Sequence, residues 1–270
     1  MPAGHLDDGL ALAKQVVPLD SNGNPSSSGK IVLMSVGMSN NYDIWGTFIQ
    51  VAHADSSLNP NLVVVNGAEG GQTANILAAP NSTAGYAYWN KWIPTQLSAS
   101  GVTAAQVQVV WLYDADADPT GSDMAYAQQL SSEFVTILQI LHARYPDLKL
   151  VYMSSREYAG YATSTLNPEP YSYASGFTVK WTIGDQLNGS SSLNYNATRG
   201  AVMAPWVAWG PYTWADGTTP RSDGLTYACS DFGSDGTHPS PQGTMKIAQL
   251  LLNFFGADPT AKSWFLKSQG

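Results

Sequence analysis

The chain has 270 residues, 44% of them hydrophobic and 12% charged, with a formal net charge of −8 and a pI near 4.7. That length buries a large core in one α/β domain, and the acidic balance argues against a nucleic-acid partner, which calls for a basic face. Cys229 is the single cysteine, which excludes an intramolecular disulfide, and no apolar run approaches the roughly 20 residues of a membrane span.

Residues 1–29 lack the basic start and apolar block of a signal peptide. The polar run Ser21-Asn22-Gly23-Asn24-Pro25-Ser26-Ser27-Ser28-Gly29 reads as a flexible leader, which leaves residues 30–270 as one domain. The expectation is a secreted or periplasmic protein, and a cytoplasmic one is equally compatible with this start. Lys30–Val36 is a short continuous apolar run closed by Gly37, as expected of a strand buried on both faces of a parallel sheet. Leu62–Asn66, Val107–Tyr113 and Leu148–Met153 are three more, and Ala201–Ala204 before Pro205 is a weaker fifth. Between the third and fourth runs, helical periodicity covers Asp123 to Tyr145, with Leu130, Phe134, Ile137, Leu138 and Leu141 on one face. Ser122 is its N-cap and Pro146 follows its end. Met245–Phe255 reads as a closing helix. Strands alternating with helices predict a three-layer α/β/α sandwich on a mainly parallel sheet, with ligands at the C-terminal strand ends.

The unusual residues follow those strand ends. Ser39 comes after the first run at a glycine-bracketed turn and is the candidate nucleophile. A serine hydroxyl is inert without a neighbouring base. His238 is that base, in a segment that Gly236, Pro239 and Pro241 keep irregular, and Asp235 is the nearest acceptor for its other ring nitrogen. Taken singly, a serine after a strand is more often a helix cap and Asp-x-x-His more often loop chemistry; their joint placement at strand ends favours catalysis.

Gly37-Met38-Ser39-Asn40, the glycine-rich Asn66-Gly67-Ala68-Glu69-Gly70-Gly71-Gln72-Thr73 and Asp235-Gly236-Thr237-His238-Pro239-Ser240 resemble the first, second and fifth blocks of the SGNH (GDSL-type) hydrolases. The resemblance runs from about residue 30 to 256. It implies a flavodoxin-like, five-stranded sheet and a Ser-His-Asp esterase without a cofactor: Ser39 as nucleophile, His238 as base, Asp235 as orienting carboxylate. The backbone N–H groups of Ser39 and Gly71 would form the oxyanion hole. The third block departs from the family, because Trp111-Leu112-Tyr113-Asp114-Ala115-Asp116-Ala117-Asp118-Pro119 has no asparagine to act as third donor. A protonated Asp116, Tyr113 and Gln72 are the alternatives. Losing one such donor typically costs about 10²–10³ in rate.

Asp114, Asp116 and Asp118 alternate as in a calcium loop, but Pro119 and Ala125 stand where glycine and glutamate are needed, so no metal is expected. Arg156 is a candidate for gripping a substrate carboxylate or sugar hydroxyl, set against a salt bridge with Glu157. Residues 205–217 read as a long aromatic loop, with Trp206, Trp209, Tyr212 and Trp214 as candidates for a wall against a sugar or acyl group, set against self-packing of the loop on the domain, which is favoured for any one of them. Asn40, Gln72, Tyr113, Arg156, Trp209 and Trp214 form the expected substrate site. The expected function is hydrolysis of a small-molecule or carbohydrate ester. The alternative is a catalytically altered protein that binds a glycan or a cation in the same acidic crevice.

Overall fold

The computed structural model describes residues 1–267. In chain order it contains α1 (Ala3–Ala13), β1 (Ile31–Val36), α2 (Ser39–Ala54), β2 (Leu62–Val65), α3 (Ala74–Leu77), α4 (Thr83–Ala87), α5 (Ile93–Ala99), β3 (Val107–Leu112) and α6 (Asp123–Arg144). There follow β4 (Leu150–Met153), α7 (Tyr171–Leu187), β5 (Trp206–Trp209), α8 (Pro241–Ala257) and α9 (Lys262–Phe265). All strand pairs are parallel, in the order β2-β1-β3-β4-β5. This is the flavodoxin-like order, whose ligand crevice lies where the strand order reverses, between β1 and β3.

Every residue of β1 and β3 is buried, which explains their unbroken apolar runs. Successive side chains go to opposite layers. Val32, Met34 and Val36 join the core under α5, α6 and α7, whereas Ile31 and Leu33 join the one under α2, α8 and α9. The sandwich is therefore three-layered, with a core on each face of the sheet. Helix α6 forms as its sequence predicts: Ser122 Oγ accepts the Ala125 N–H at 3.2 Å, and Leu130, Phe134, Ile137, Leu138 and Leu141 are buried. Among the described residues, no helix is long and apolar enough to cross a membrane.

Two expectations are corrected. Residues 1–29 do not form a flexible leader. Helix α1 lies against β5, where the His5 ring stacks on Trp206 at 4.9 Å and the Trp206 indole N–H donates to the His5 carbonyl at 3.0 Å. Leu19 then exchanges two backbone hydrogen bonds with Lys30. Scattered apolar residues (Ala13, Val16, Leu19) were enough to dock a segment whose composition is mostly polar.

The fifth strand is also displaced, from Ala201–Ala204 to Trp206–Trp209, which pairs with Leu150–Met153. Pro205 precedes it, where a missing N–H is harmless. On its outer edge the Gln186 side chain accepts from the Val207 N–H and donates to the Pro205 carbonyl, each at 2.9 Å, and His5 Nε2 lies 2.9 Å from the Val207 carbonyl. Side chains thus satisfy an edge that would otherwise recruit another strand.

Candidate active site

After β1 the chain turns sharply at Gly37, which has φ +151°. A Cβ there would lie 2.0 Å from the Tyr113 carbonyl oxygen, so only glycine lets β1 and β3 close at this point. The Asn41 amide seals the turn by donating to the Val36 carbonyl at 2.8 Å and the Tyr113 carbonyl at 3.0 Å. Met38 stays extended and offers no side-chain cap, and Ser39 opens α2. First-turn N–H groups have no partner within a helix, and here the capping residue supplies none either.

The histidine segment owes its shape to Asp235 and Gly236. Asp235 Oδ1 accepts the backbone N–H groups of Thr237 and His238, each at 3.0 Å. Gly236 has φ +65°, and a Cβ on it would come within 1.8 Å of the Tyr161 carbonyl. Helix α8 begins sooner than expected, at Pro241, with Ser240 Oγ accepting the Gly243 N–H. The loop thereby brings His238 Nε2 to 2.8 Å from Ser39 Oγ, while His238 Nδ1 lies 2.5 Å from Asp235 Oδ2. A carboxylate at Nδ1 fixes the proton there and leaves Nε2 free to accept from the serine hydroxyl. Burial raises the Asp235 carboxyl, but the hydrogen bonds from the His238 ring and two backbone N–H groups outweigh it and hold the group below its ordinary range.

Ser39 and His238 open onto a recess of about 250 Å³ whose walls include Met38, Gly71, Thr73, Ala117 and Leu166. Gly71 has φ +78° and faces open space. Its loop is tied down by the Glu69 N–H donating to the Gly37 carbonyl and the Ala74 N–H donating to the Ala115 carbonyl. Ser39, Asp235 and His238 are thus brought together, with Gly71 on the same wall.

Other expected site residues lie elsewhere or are engaged in buried pairings. Asp116 is buried and turned away: one carboxylate oxygen accepts the Asn75 N–H at 2.9 Å and the other lies 3.4 Å from the Gln129 amide, so it is no oxyanion donor. Ala117, the next residue, reaches the recess. Tyr113 is fully buried, stacked on Trp111 at 4.9 Å, and its hydroxyl accepts the Glu157 N–H at 3.4 Å. Gln72 is half-buried and outside the recess walls. Asn40 borders the recess but spends its amide hydrogens on Glu157 and the Thr237 carbonyl.

Arg156 also borders the recess, yet its guanidinium is paired with Glu157 at 3.1 Å, both side chains being wholly buried. Burial lowers the Arg156 guanidinium and raises the Glu157 carboxyl from their ordinary values. Trp214 donates its indole N–H to Glu169 at 2.8 Å and packs on Tyr173, so it serves the loop's own packing. Trp209 does face an opening, a separate groove of about 360 Å³ shared with Tyr173, Phe177, Lys180 and Tyr212 at the end of β5.

The carboxylates of Asp114, Asp116 and Asp118 do not converge. Asp114 accepts the Ala115 N–H, and Asp118 bonds to Thr165 on the surface. Among the described residues, no three His, Cys, Asp or Glu side chains group so as to hold a metal ion.

Glu133, which the sequence did not single out, faces Asp116. Burial raises both carboxyls, and the nearby Asp116 charge helps carry Glu133 to about 8. Between their ordinary and raised values the folded chain binds more protons than the unfolded one, so these two groups make stability fall as pH rises. Melting should therefore occur at lower temperature at about pH 8.5 than at about pH 5.5, and Glu133→Gln should flatten that dependence. A slope unchanged by the substitution would show that Glu133 contributes nothing to it.

No family model matches the chain, and no curated protein matches it. Among solved structures it is similar to the lipase Lip_vut3 from a goat rumen metagenome (TM-score 0.46, 11% identity, 85% of this chain and 100% of that one). It is also similar to a candidate SGNH hydrolase from Slackia heliotrinireducens (TM-score 0.42, 17% identity, 84% and 100%). A third is the acetylxylan esterase Axe2 from Geobacillus stearothermophilus (TM-score 0.41, 13% identity, 90% and 100%). The parallel three-layer architecture rests on this chain's own strand order and on the core packed against each face of its sheet.

Proposed function

We propose that this chain is a serine esterase of the SGNH type, cleaving a carboxylic ester through an acyl-enzyme at Ser39. The observation that carries the proposal is the hydroxyl–imidazole–carboxylate line, Ser39 Oγ to His238 Nε2 at 2.8 Å and His238 Nδ1 to Asp235 at 2.5 Å. As Ser39 Oγ attacks the acyl carbon, His238 Nε2 takes its proton, and Asp235 stabilises the imidazolium. The C–O bond to the alcohol breaks and His238 returns the proton to the departing oxygen. Water then repeats the sequence and frees the carboxylic acid. The N–H groups of Ser39 and Gly71 are the donors available to the oxyanion.

A recess of about 250 Å³ walled by Met38, Ala117 and Leu166 suits a short acyl group. The alcohol is assigned as a carbohydrate because the aromatic groove of Trp209, Tyr212, Tyr173 and Phe177 lies at the same C-terminal edge of the sheet, three strand positions from β1. Neighbouring strands are spaced about 4.8 Å apart, which puts the groove roughly 15 Å along the crevice, within reach of an oligosaccharide. Aromatic faces of this kind suit the apolar faces of sugar rings.

Labelling by a fluorophosphonate probe, with turnover of p-nitrophenyl acetate, tests the esterase. Trp209→Ala tests the carbohydrate. It should raise KM about tenfold for an acetylated oligosaccharide, the equivalent of about 1.4 kcal/mol of lost stacking, and leave p-nitrophenyl acetate unaffected. Equal effects on both substrates, or none on either, would remove the groove from substrate binding.

A further inference from the structure

We infer that Asn40, oriented by the buried carboxylate of Glu157, is the positioning residue that sets the distance between Ser39 and His238. The inference rests on the esterase proposal above. Asn40 follows the nucleophile directly in the chain, and the residue is 1% exposed. One amide hydrogen goes to Glu157 Oε1 and the other to the Thr237 carbonyl at 2.8 Å, the residue directly before His238. A single side chain therefore joins the residue after the serine to the residue before the histidine, across 197 positions of sequence. Both partners are acceptors, so the nitrogen must face them and the amide has one sensible orientation.

Glu157 has the anchorage this task requires. It is fully buried beyond the end of β4 and accepts from the Arg156 guanidinium at 3.1 Å and 3.4 Å. Its N–H donates to Tyr113 OH beyond β3, and its carbonyl accepts the Ser172 hydroxyl of α7 at 2.5 Å. The backbone of Glu157 is thus fixed to two strand ends and a helix, and its carboxylate is held by Arg156 before it meets Asn40. Bonds from Asp235 fix the shape of the histidine loop, and the Thr47–Thr244 hydroxyl contact at 3.0 Å joins α2 to α8 further along. The Asn40 amide ties the loop to the first turn of α2, beside the reacting hydroxyl. Without it the Thr237 carbonyl and Glu157 would lose a buried partner, and the loop would settle elsewhere. A displacement of about 1 Å between reacting groups costs on the order of 10² in rate.

The test uses Asn40→Ala, Asn40→Asp and Glu157→Gln in the full chain, with Ser39→Ala as control. For each folded variant, urea denaturation is measured with kcat and KM for p-nitrophenyl acetate, and the fraction of sites that a fluorophosphonate can titrate. Both Asn40 variants should lose about 10² in kcat with KM within about twofold and most sites still titratable, only more slowly. Asn40→Asp should be no better than alanine, since it sets a carboxylate against two acceptors. Glu157→Gln keeps an acceptor for the amide and should retain more activity, at about a tenfold loss.

Wild-type kcat in a folded Asn40→Ala or Asn40→Asp protein overturns the inference. So does a loss of rate in all three variants that is matched by a loss of titratable sites, which is what a merely structural role gives. If Ser39→Ala keeps its turnover, the esterase proposal fails instead, whatever the other variants do.

Discussion

Ser39→Ala should abolish fluorophosphonate labelling and lower the kcat for p-nitrophenyl acetate by about 10⁵–10⁶, the scale seen when a serine nucleophile is removed from such a triad. The size of the loss follows from what remains. Without Oγ there is nothing at 2.8 Å from His238 Nε2 for the imidazole to deprotonate, and the oxyanion donors at Ser39 and Gly71 can polarise a carbonyl but cannot attack it. Stability should barely change, because the hydroxyl's one side-chain hydrogen bond is to a histidine about one-third exposed. Turnover surviving the substitution in homogeneous protein would place the chemistry at another residue.

Asp235→Asn is the second large effect, expected at about 10⁴ in kcat. An asparagine oxygen at the Oδ1 position would still accept the Thr237 and His238 N–H groups, so the loop should keep its shape. The other position becomes an NH₂ facing Nδ1. It would favour the tautomer with the proton on Nε2, which cannot accept from Ser39, and it would leave the imidazolium without a counter-charge. Fluorophosphonate labelling should slow in parallel, with KM little altered. Nearly full activity for Asp235→Asn would mean that the contact with His238 merely holds the loop.

The parts of the site that were legible in the sequence are those made by short-range chemistry. Gly37 and Ser39 follow β1 in a pattern fixed by how a strand turns into a helix. Asp235 and His238 stand only three positions apart in the chain, so their contact is nearly a local property. The third-donor candidates were misplaced for the opposite reason. Whether Asp116 or Ala117 reaches the recess depends on how α6 presents Gln129 and Glu133, and no local pattern encodes that. Glu157 had one faint signal, a pair of charges two serines past an apolar strand in a chain where charge is scarce. Its bond to Asn40 spans 117 residues.

By itself the sequence determined the alternation of strands and helices, the continuous burial of β1 and β3, and the candidate nucleophile, base and carboxylate, because periodicity, turn chemistry and nearest-neighbour acceptors act over a few residues. Only the tertiary structure decided that residues 3–13 pack on Trp206, that β5 is Trp206–Trp209, that Asp116 and Tyr113 turn from the recess, and that Arg156 at its border is spent on Glu157. Each depends on which distant surface is available to cover an edge or to satisfy a buried polar group. That is settled when the layers close on one another.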